Sequence, residues 1–161
     1  MIINNHILKI KDIYYNNGFI INRSPLTDKF VDNYSDKNDI ENDKIITIDN
    51  LFVKNTLDTC YSHTLIDNIF PNFWAINDIK EQDKNLNNIQ LFIRKKNIYE
   101  FKKQNLGIID SKTKKYKGVY HEIISLISDN YIFEHLIDNK TTYFIKNCYF
   151  YILDDKWQRS I

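Results

Sequence analysis

The segment Asp58-Thr59-Cys60-Tyr61-Ser62-His63-Thr64-Leu65-Ile66-Asp67-Asn68-Ile69-Phe70-Pro71 holds the residues best suited to chemistry. His63 and Asp67 stand at i and i+4, so on a helix they share one face. At 100 degrees per residue from His63, Asp67 falls near about 40 degrees and Trp74 near about 20, with the apolar stripe centred near about 270. The pair therefore borders the buried face, where the rim of a cleft would lie. In the first turn of a helix the positive end of the macrodipole disfavours imidazolium and keeps His63 neutral, the state a general base needs. Asp67 could fix the tautomer. The plain alternative is a helix histidine capped or paired for stability, and spacing alone favours that.

Other chemistry is less well supported. Cys60, His63 and Asp67 have helical spacing for a metal, yet no fourth ligand can be named. A Cys60–His63 nucleophilic dyad lacks any sign of an oxyanion hole, and no Gly-rich phosphate loop occurs. His121-Glu122 has no second histidine of a zincin motif. Asp154-Asp155 ends an expected strand and reads as a polar turn.

The elements that must position these residues follow from periodicity. Residues 58–80 carry Leu65, Ile66, Ile69, Phe70, Phe73 and Ile76 at three- and four-residue spacing, which predicts a helix bent or restarted at Pro71. Its apolar stripe of Leu65, Ile69, Phe73 and Ile76 should be buried, with Thr64, Asn68 and Asn72 facing solvent or a polar groove. Residues 1–24 alternate apolar clusters around Asn16-Asn17-Gly18 and read as a β-hairpin. Residues 44–54 carry two short apolar runs, Ile45, Ile46 and Ile48, then Leu51, Phe52 and Val53, that read as strands; 90–94 reads as a strand, 97–104 as a helix stopped at Leu106-Gly107, and Ile108-Ile109 as a further strand. Residues 116–128 read as a short helix, then 131–137, 143–146 and 149–153 as strands. Strands alternating with helices predict a single α/β domain over residues 1–161, a three-layer Rossmann-like sandwich with a mostly parallel sheet, preceded by a short N-terminal β-hairpin.

Composition narrows the function classes. The 161 residues are 43% hydrophobic and 14% aromatic, enough apolar surface for a folded core. Scarce Gly and Pro beside abundant Asn, Ile, Lys and Tyr reflect AT-rich coding DNA. With 22 basic and 21 acidic residues the net charge is +1, so no field gathers nucleic acid or anionic lipid. The run Lys112, Lys114, Lys115 and Lys117 reads as a solvated loop. Two cysteines, Cys60 and Cys148, make no disulfide framework. Neither a signal-peptide core nor an apolar stretch of ~18 residues occurs, so the expectation is a cytoplasmic protein without a membrane span.

Tyr61-Ser62-His63-Thr64-Leu65-Ile66-Asp67 and the aromatic stretch after it resemble the Asn-Tyr-Gly-His-Trp-Leu-x-Asp type segment of family 61 glycosyltransferases. Ile89-Gln90-Leu91-Phe92-Ile93 resembles the family's next strand, and Glu100-Phe101 through Leu106-Gly107-Ile108 its helix ending in Leu-Gly-Ile. The likeness spans residues 45–155. Cys60 stands where the family often has Asn, and Ser62 where it often has Gly or an aromatic residue.

The resemblance implies the acceptor-side half of a two-domain GT-B enzyme, a hexosyl- or pentosyltransferase. Such an enzyme takes a nucleotide sugar as donor substrate, with no covalently bound cofactor, and a glycan or protein hydroxyl as acceptor; no residue here is assigned as a metal ligand. On this reading His63 is the base and Asp67 its orienting partner, while Tyr61, Asn68 and Trp74 contact substrate. The domain that holds the donor diphosphate is expected from a separate C-terminal-half protein. A non-catalytic, truncated or partner-dependent binding domain is the alternative.

Overall fold

A computed structural model describes residues 1–36, 40, 44–54, 70–84, 86–93, 108–109, 112, 116–117, 128, 130–134 and 137–152. Nine strands and two helices occur among them: β1 (Ile2–Asn4), β2 (Ile7–Tyr15), β3 (Phe19–Ile20), α1 (Pro25–Phe30), β4 (Lys44–Lys54), α2 (Phe70–Gln82), β5 (Gln90–Ile93), β6 (Ile108–Ile109), β7 (Tyr116–Lys117), β8 (Tyr131–Phe133) and β9 (Thr141–Tyr151). Seven strands make one sheet in the order β1-β2-β9-β4-β5-β8, with β3 paired to β2; β6 and β7 form a separate antiparallel pair.

This sheet is mixed, which corrects the expectation of a mostly parallel Rossmann-like sandwich. The pairs β9/β4, β4/β5 and β5/β8 are parallel, whereas β1/β2, β2/β3 and β2/β9 are antiparallel. The N-terminal hairpin does form at Asn16-Asn17-Gly18, with Tyr15 opposite Phe19. It is no appendage before the sheet, however. β2 lies against β9 from Ile7↔Tyr151 to Tyr15↔Tyr143, so the two ends of the described chain share a ladder. Tyr116 and Lys117, expected in a helix and in a solvated loop, are in strand β7. The helices expected at 97–104 and over 118–127 lie outside the described residues.

The long strands β4 and β9 each absorb what reads in sequence as two short apolar runs. Ile48 and Leu51 belong to one core cluster although they are three residues apart, and so do Ile145 and Cys148. Strict alternation would send them to opposite faces, so both strands slip by one residue at Asp49-Asn50 and Lys146-Asn147. The neighbouring strand β2 slips at the same level, where Asp12 takes a positive φ of 52° between Lys11↔Asn147 and Ile13↔Ile145. Polar side chains stitch this row: Lys146 Nζ to Asp49 Oδ1 at 2.6 Å, Asn147 Nδ2 to Asn50 Oδ1 at 3.1 Å, and Asn50 Nδ2 to the Asn88 carbonyl at 3.1 Å.

One face of the sheet packs on α2 through Ile7, Phe52, Tyr149, Tyr151, Leu91 and Ile93 against Ala75, Ile76 and Ile79. The other face carries Tyr15, Phe19, Phe92 and Phe150, whose ring centroids lie 4.8–5.7 Å apart in edge-on or tilted contacts. The segment after β3 closes over that face, bringing Phe30 and Val31 into its core. Ser24 starts α1 with a reciprocal cap: the Thr27 amide donates to Ser24 Oγ at 3.1 Å and the Ser24 amide to Thr27 Oγ1 at 2.8 Å. Gly18 is required beside it. Its φ is +157°, and a Cβ there would meet backbone atoms of Tyr34 and Ser35 at 2.6 Å.

Asn16 ties the hairpin turn to the start of β9. Its side chain is 1% exposed and donates to Thr142 Oγ1 at 3.1 Å and to the carbonyls of Thr141 and Asn139 at 3.3 and 3.4 Å. A buried amide needs such partners, which makes this contact a register lock between β2 and β9.

Candidate functional site

The four parallel strands β9, β4, β5 and β8 all run the same way, so their carboxyl ends lie on one side of the sheet. In α/β sheets ligands bind outside such ends. The chain leaves β4 at Lys54 and enters α2 at Phe70, and the residues between, 55–69, include Tyr61, His63, Asp67 and Asn68. Those four candidates, with Cys60, lie outside the described residues, as do His121, Glu122, Asp154 and Asp155. Trp74 is the one candidate that the described structure places.

Trp74 is exposed on α2, and it is not alone. Phe70, Phe73 and Trp74 are 52%, 45% and 56% exposed, and the Phe70 and Trp74 rings lie 6.5 Å apart at 31°. Their positions at i, i+3 and i+4 put all three on one helix face. The opposite face, Pro71, Ala75, Ile76 and Ile79, is the buried one. This corrects the expected seating, in which Phe73 was to be buried with Ile76. Small Ala75 lets the helix approach the sheet, with Ile79 at i+4 continuing the same stripe; the larger aromatic side chains are turned outward. Pro71 lies in the first described turn of α2; the expected bend or restart there involves residues 58–69, which lie outside the described residues.

Asn72, expected to face solvent or a polar groove, is half-buried, and its Oδ1 is buried without a hydrogen-bond partner. A carbonyl oxygen in that state is a standing cost that a donor from a ligand would relieve. It sits in the same two turns as the exposed rings. The helix is held to the sheet from its far end: Asn4 Nδ2 donates to Asp78 at 3.3 Å, and Lys9 pairs with Asp83 at 4.0 Å while lying 5.1 Å from the Tyr149 ring centre. Among the described residues, these polar contacts fasten the far end of α2, and the aromatic end is seated through Pro71, Ala75 and Ile76 on the opposite face.

Other titratable groups are structural. Burial, with the Asp83 carboxylate and Cys148 adding to it, pushes the Tyr149 phenol up to about 12; burial and then Asp78 do the same for Tyr151. Burial raises the Cys148 thiol well above its ordinary value, which makes it inert rather than nucleophilic. Glu134 accepts from Tyr15 Oη at 2.9 Å and from Asn33 Nδ2, bridging the hairpin and the segment after α1 to the end of β8. Among the described residues no group of three or more His, Cys, Asp or Glu could hold a metal, and no helix is long and apolar enough to cross a membrane.

Phe70 and Phe73 were missed as surface residues because aromatics at helical spacing ordinarily mark a core. The signal that distinguishes them is the competing stripe Pro71, Ala75, Ile79, at strict i+4 intervals and free of ring bulk. No protein-family model, curated protein or solved structure matches this chain.

Proposed function

We propose that the chain is the acceptor-binding part of a sugar transferase resembling family 61 glycosyltransferases, working in the cytoplasm and completed by a second domain that holds the nucleotide-sugar donor. The observation that carries this reading is the exposed aromatic face of Phe70, Phe73 and Trp74, directly downstream of His63 and Asp67. Sugar rings present apolar C–H faces that pack on aromatic side chains, and three large rings on one helix face exceed what a solvated helix needs. The buried, unpartnered Asn72 oxygen beside them suits a sugar hydroxyl as donor. The reading does not rest on Rossmann topology, since the sheet is mixed; it rests on the segment between β4 and α2 and on the face that follows it.

In this mechanism His63 takes the proton from the acceptor hydroxyl as that oxygen attacks the anomeric carbon, and Asp67 holds the imidazole in the accepting tautomer. Tyr61, Asn68 and Trp74 position the acceptor ring. The nucleoside diphosphate leaves on the side of the donor-holding domain. A test is transfer of labelled sugar from nucleotide-sugar donors to oligosaccharides, by the chain alone and by the chain co-expressed with candidate donor-domain proteins. Transfer is expected only in the complemented form, and His63→Ala should lower it by ~10²- to 10⁴-fold with an unchanged melt. Robust turnover by the chain alone removes the need for a partner. A complemented form that His63→Ala leaves fully active removes the histidine from the chemistry.

A further inference from the structure

Asn17 is the one asparagine of the chain that precedes glycine; every other is followed by a residue with a side chain. An asparagine side-chain carbonyl lies within ring-closing reach of the backbone nitrogen of the next residue. A Cβ on that next residue obstructs the approach, so glycine removes the main steric barrier. Asn17 is exposed at the tip of the β2–β3 hairpin, and among the described residues its side chain is held by one long hydrogen bond, Nδ2 to Asn16 Oδ1 at 3.4 Å. The backbone around it is bonded unevenly. The Gly18 carbonyl accepts from the Asn16 amide at 2.9 Å and the Phe19 amide donates to the Asn33 carbonyl at 2.8 Å, so the peptide unit after Gly18 is fastened at both ends. Among the described residues neither the Asn17 carbonyl nor the Gly18 amide has a hydrogen bond, which leaves the peptide unit between them as the loose link of the turn.

We propose that Asn17 is a self-modification site, at which the chain converts its own amide to a carboxylate and thereby loosens the hairpin. The Gly18 nitrogen gives its proton to hydroxide and attacks Asn17 Cγ. A Gly18 N–Asn17 Cγ bond forms, the Asn17 Cγ–Nδ2 bond breaks, and the side-chain nitrogen leaves as ammonia with a proton from water. Water then opens the cyclic imide. Attack at Cγ restores the original backbone and leaves aspartate, whereas attack at the α-carbonyl leaves isoaspartate, in which the chain runs through the side-chain carbon. Either product sets a carboxylate against Asn16 Oδ1 in place of the donor that stands there now. Isoaspartate also lengthens the backbone within the turn, beside Gly18, where a Cβ would already meet backbone atoms of Tyr34 and Ser35 at 2.6 Å. Asn16 is the residue that ties this turn to β9 through Thr142 Oγ1, so the change acts on the register lock.

The test is to age the full chain at neutral and mildly alkaline pH and resolve it by ion exchange, since each conversion removes the formal net charge of +1. Peptide mapping of the first acidic form should place the change at Asn17, ahead of the exposed Asn5, Asn22, Asn88 and Asn139. Its rate of appearance should rise in proportion to hydroxide, and the isolated acidic form should melt below the unaged chain. Asn17→Gln, whose side chain would have to close a larger ring, should give no early acidic form and should keep its own melt on ageing. A first acidic form modified at another asparagine, a rate indifferent to pH, or an acidic form that melts with the unaged chain would overturn the proposal.

Discussion

Replacing Ile79 and Phe73 in turn by alanine tests which way α2 is seated on the sheet. Ile79 has no exposed surface and contacts the cluster of Phe52, Tyr149 and Leu91, while Phe73 is 45% exposed. Ile79→Ala deletes three buried carbons, worth about 2.4 kcal/mol at ~0.8 kcal/mol each. The cavity left between α2 and the sheet brings the cost to about 3–4 kcal/mol. For a domain of this size that corresponds to a fall in melting temperature of about 6–15 °C. Phe73→Ala removes a ring that keeps nearly half its surface in water, and alanine returns about 0.5 kcal/mol in helix propensity, so the net change should stay within about 1 kcal/mol. Urea denaturation with both variants at equal protein concentration reads the two values directly. A larger loss from Phe73→Ala than from Ile79→Ala would mean that the aromatic stripe faces the core, and the candidate site would lose its platform.

Asn16→Ala should cost about 1–3 kcal/mol in the same assay, since it strips the donor from the Thr141 and Asn139 carbonyls at the start of β9. Tyr149 and Tyr151, whose phenols titrate near 12 against 10 in the unfolded chain, keep their protons in the folded state while the unfolded state loses them. Stability should accordingly be unaffected below pH 10 and fall as pH rises from 10 toward 12, read as a declining melting temperature together with late tyrosine absorbance at 295 nm. A melt that is flat through that window would refute the burial of these phenols.

The sequence showed some of these features directly and hid others for physical reasons. The turn at Asn16-Asn17-Gly18 was legible because a left-handed residue followed by glycine is a local requirement, met by φ of 56° at Asn17 and +157° at Gly18. The strand at Gln90–Ile93 was legible because it is a short apolar run. The pairing of Ile7 with Tyr151 was not, because nothing local marks two runs so far apart as neighbours. That single long-range ladder turned an expected parallel sheet into a mixed one. The breaks at Asp49-Asn50 and Lys146-Asn147 looked like strand ends, whereas they are the polar residues of a slip shared with Asp12 across three strands. At the site, Trp74 was reached from its helical angle relative to His63, but Phe70 and Phe73 were assigned to the core, because ring size signals burial unless a smaller stripe competes for the sheet.

Isothermal titration of oligosaccharides into the wild-type chain, repeated with Trp74→Ala, bears most directly on the acceptor-binding account. The wild type should bind a glycan, and Trp74→Ala should weaken that binding by about tenfold, a loss of about 1.4 kcal/mol consistent with one aromatic contact, without shifting the melt. Glycan binding that Trp74→Ala leaves unchanged, or no binding to any oligosaccharide by the folded wild type, would contradict the claim that the exposed face of α2 receives a sugar acceptor.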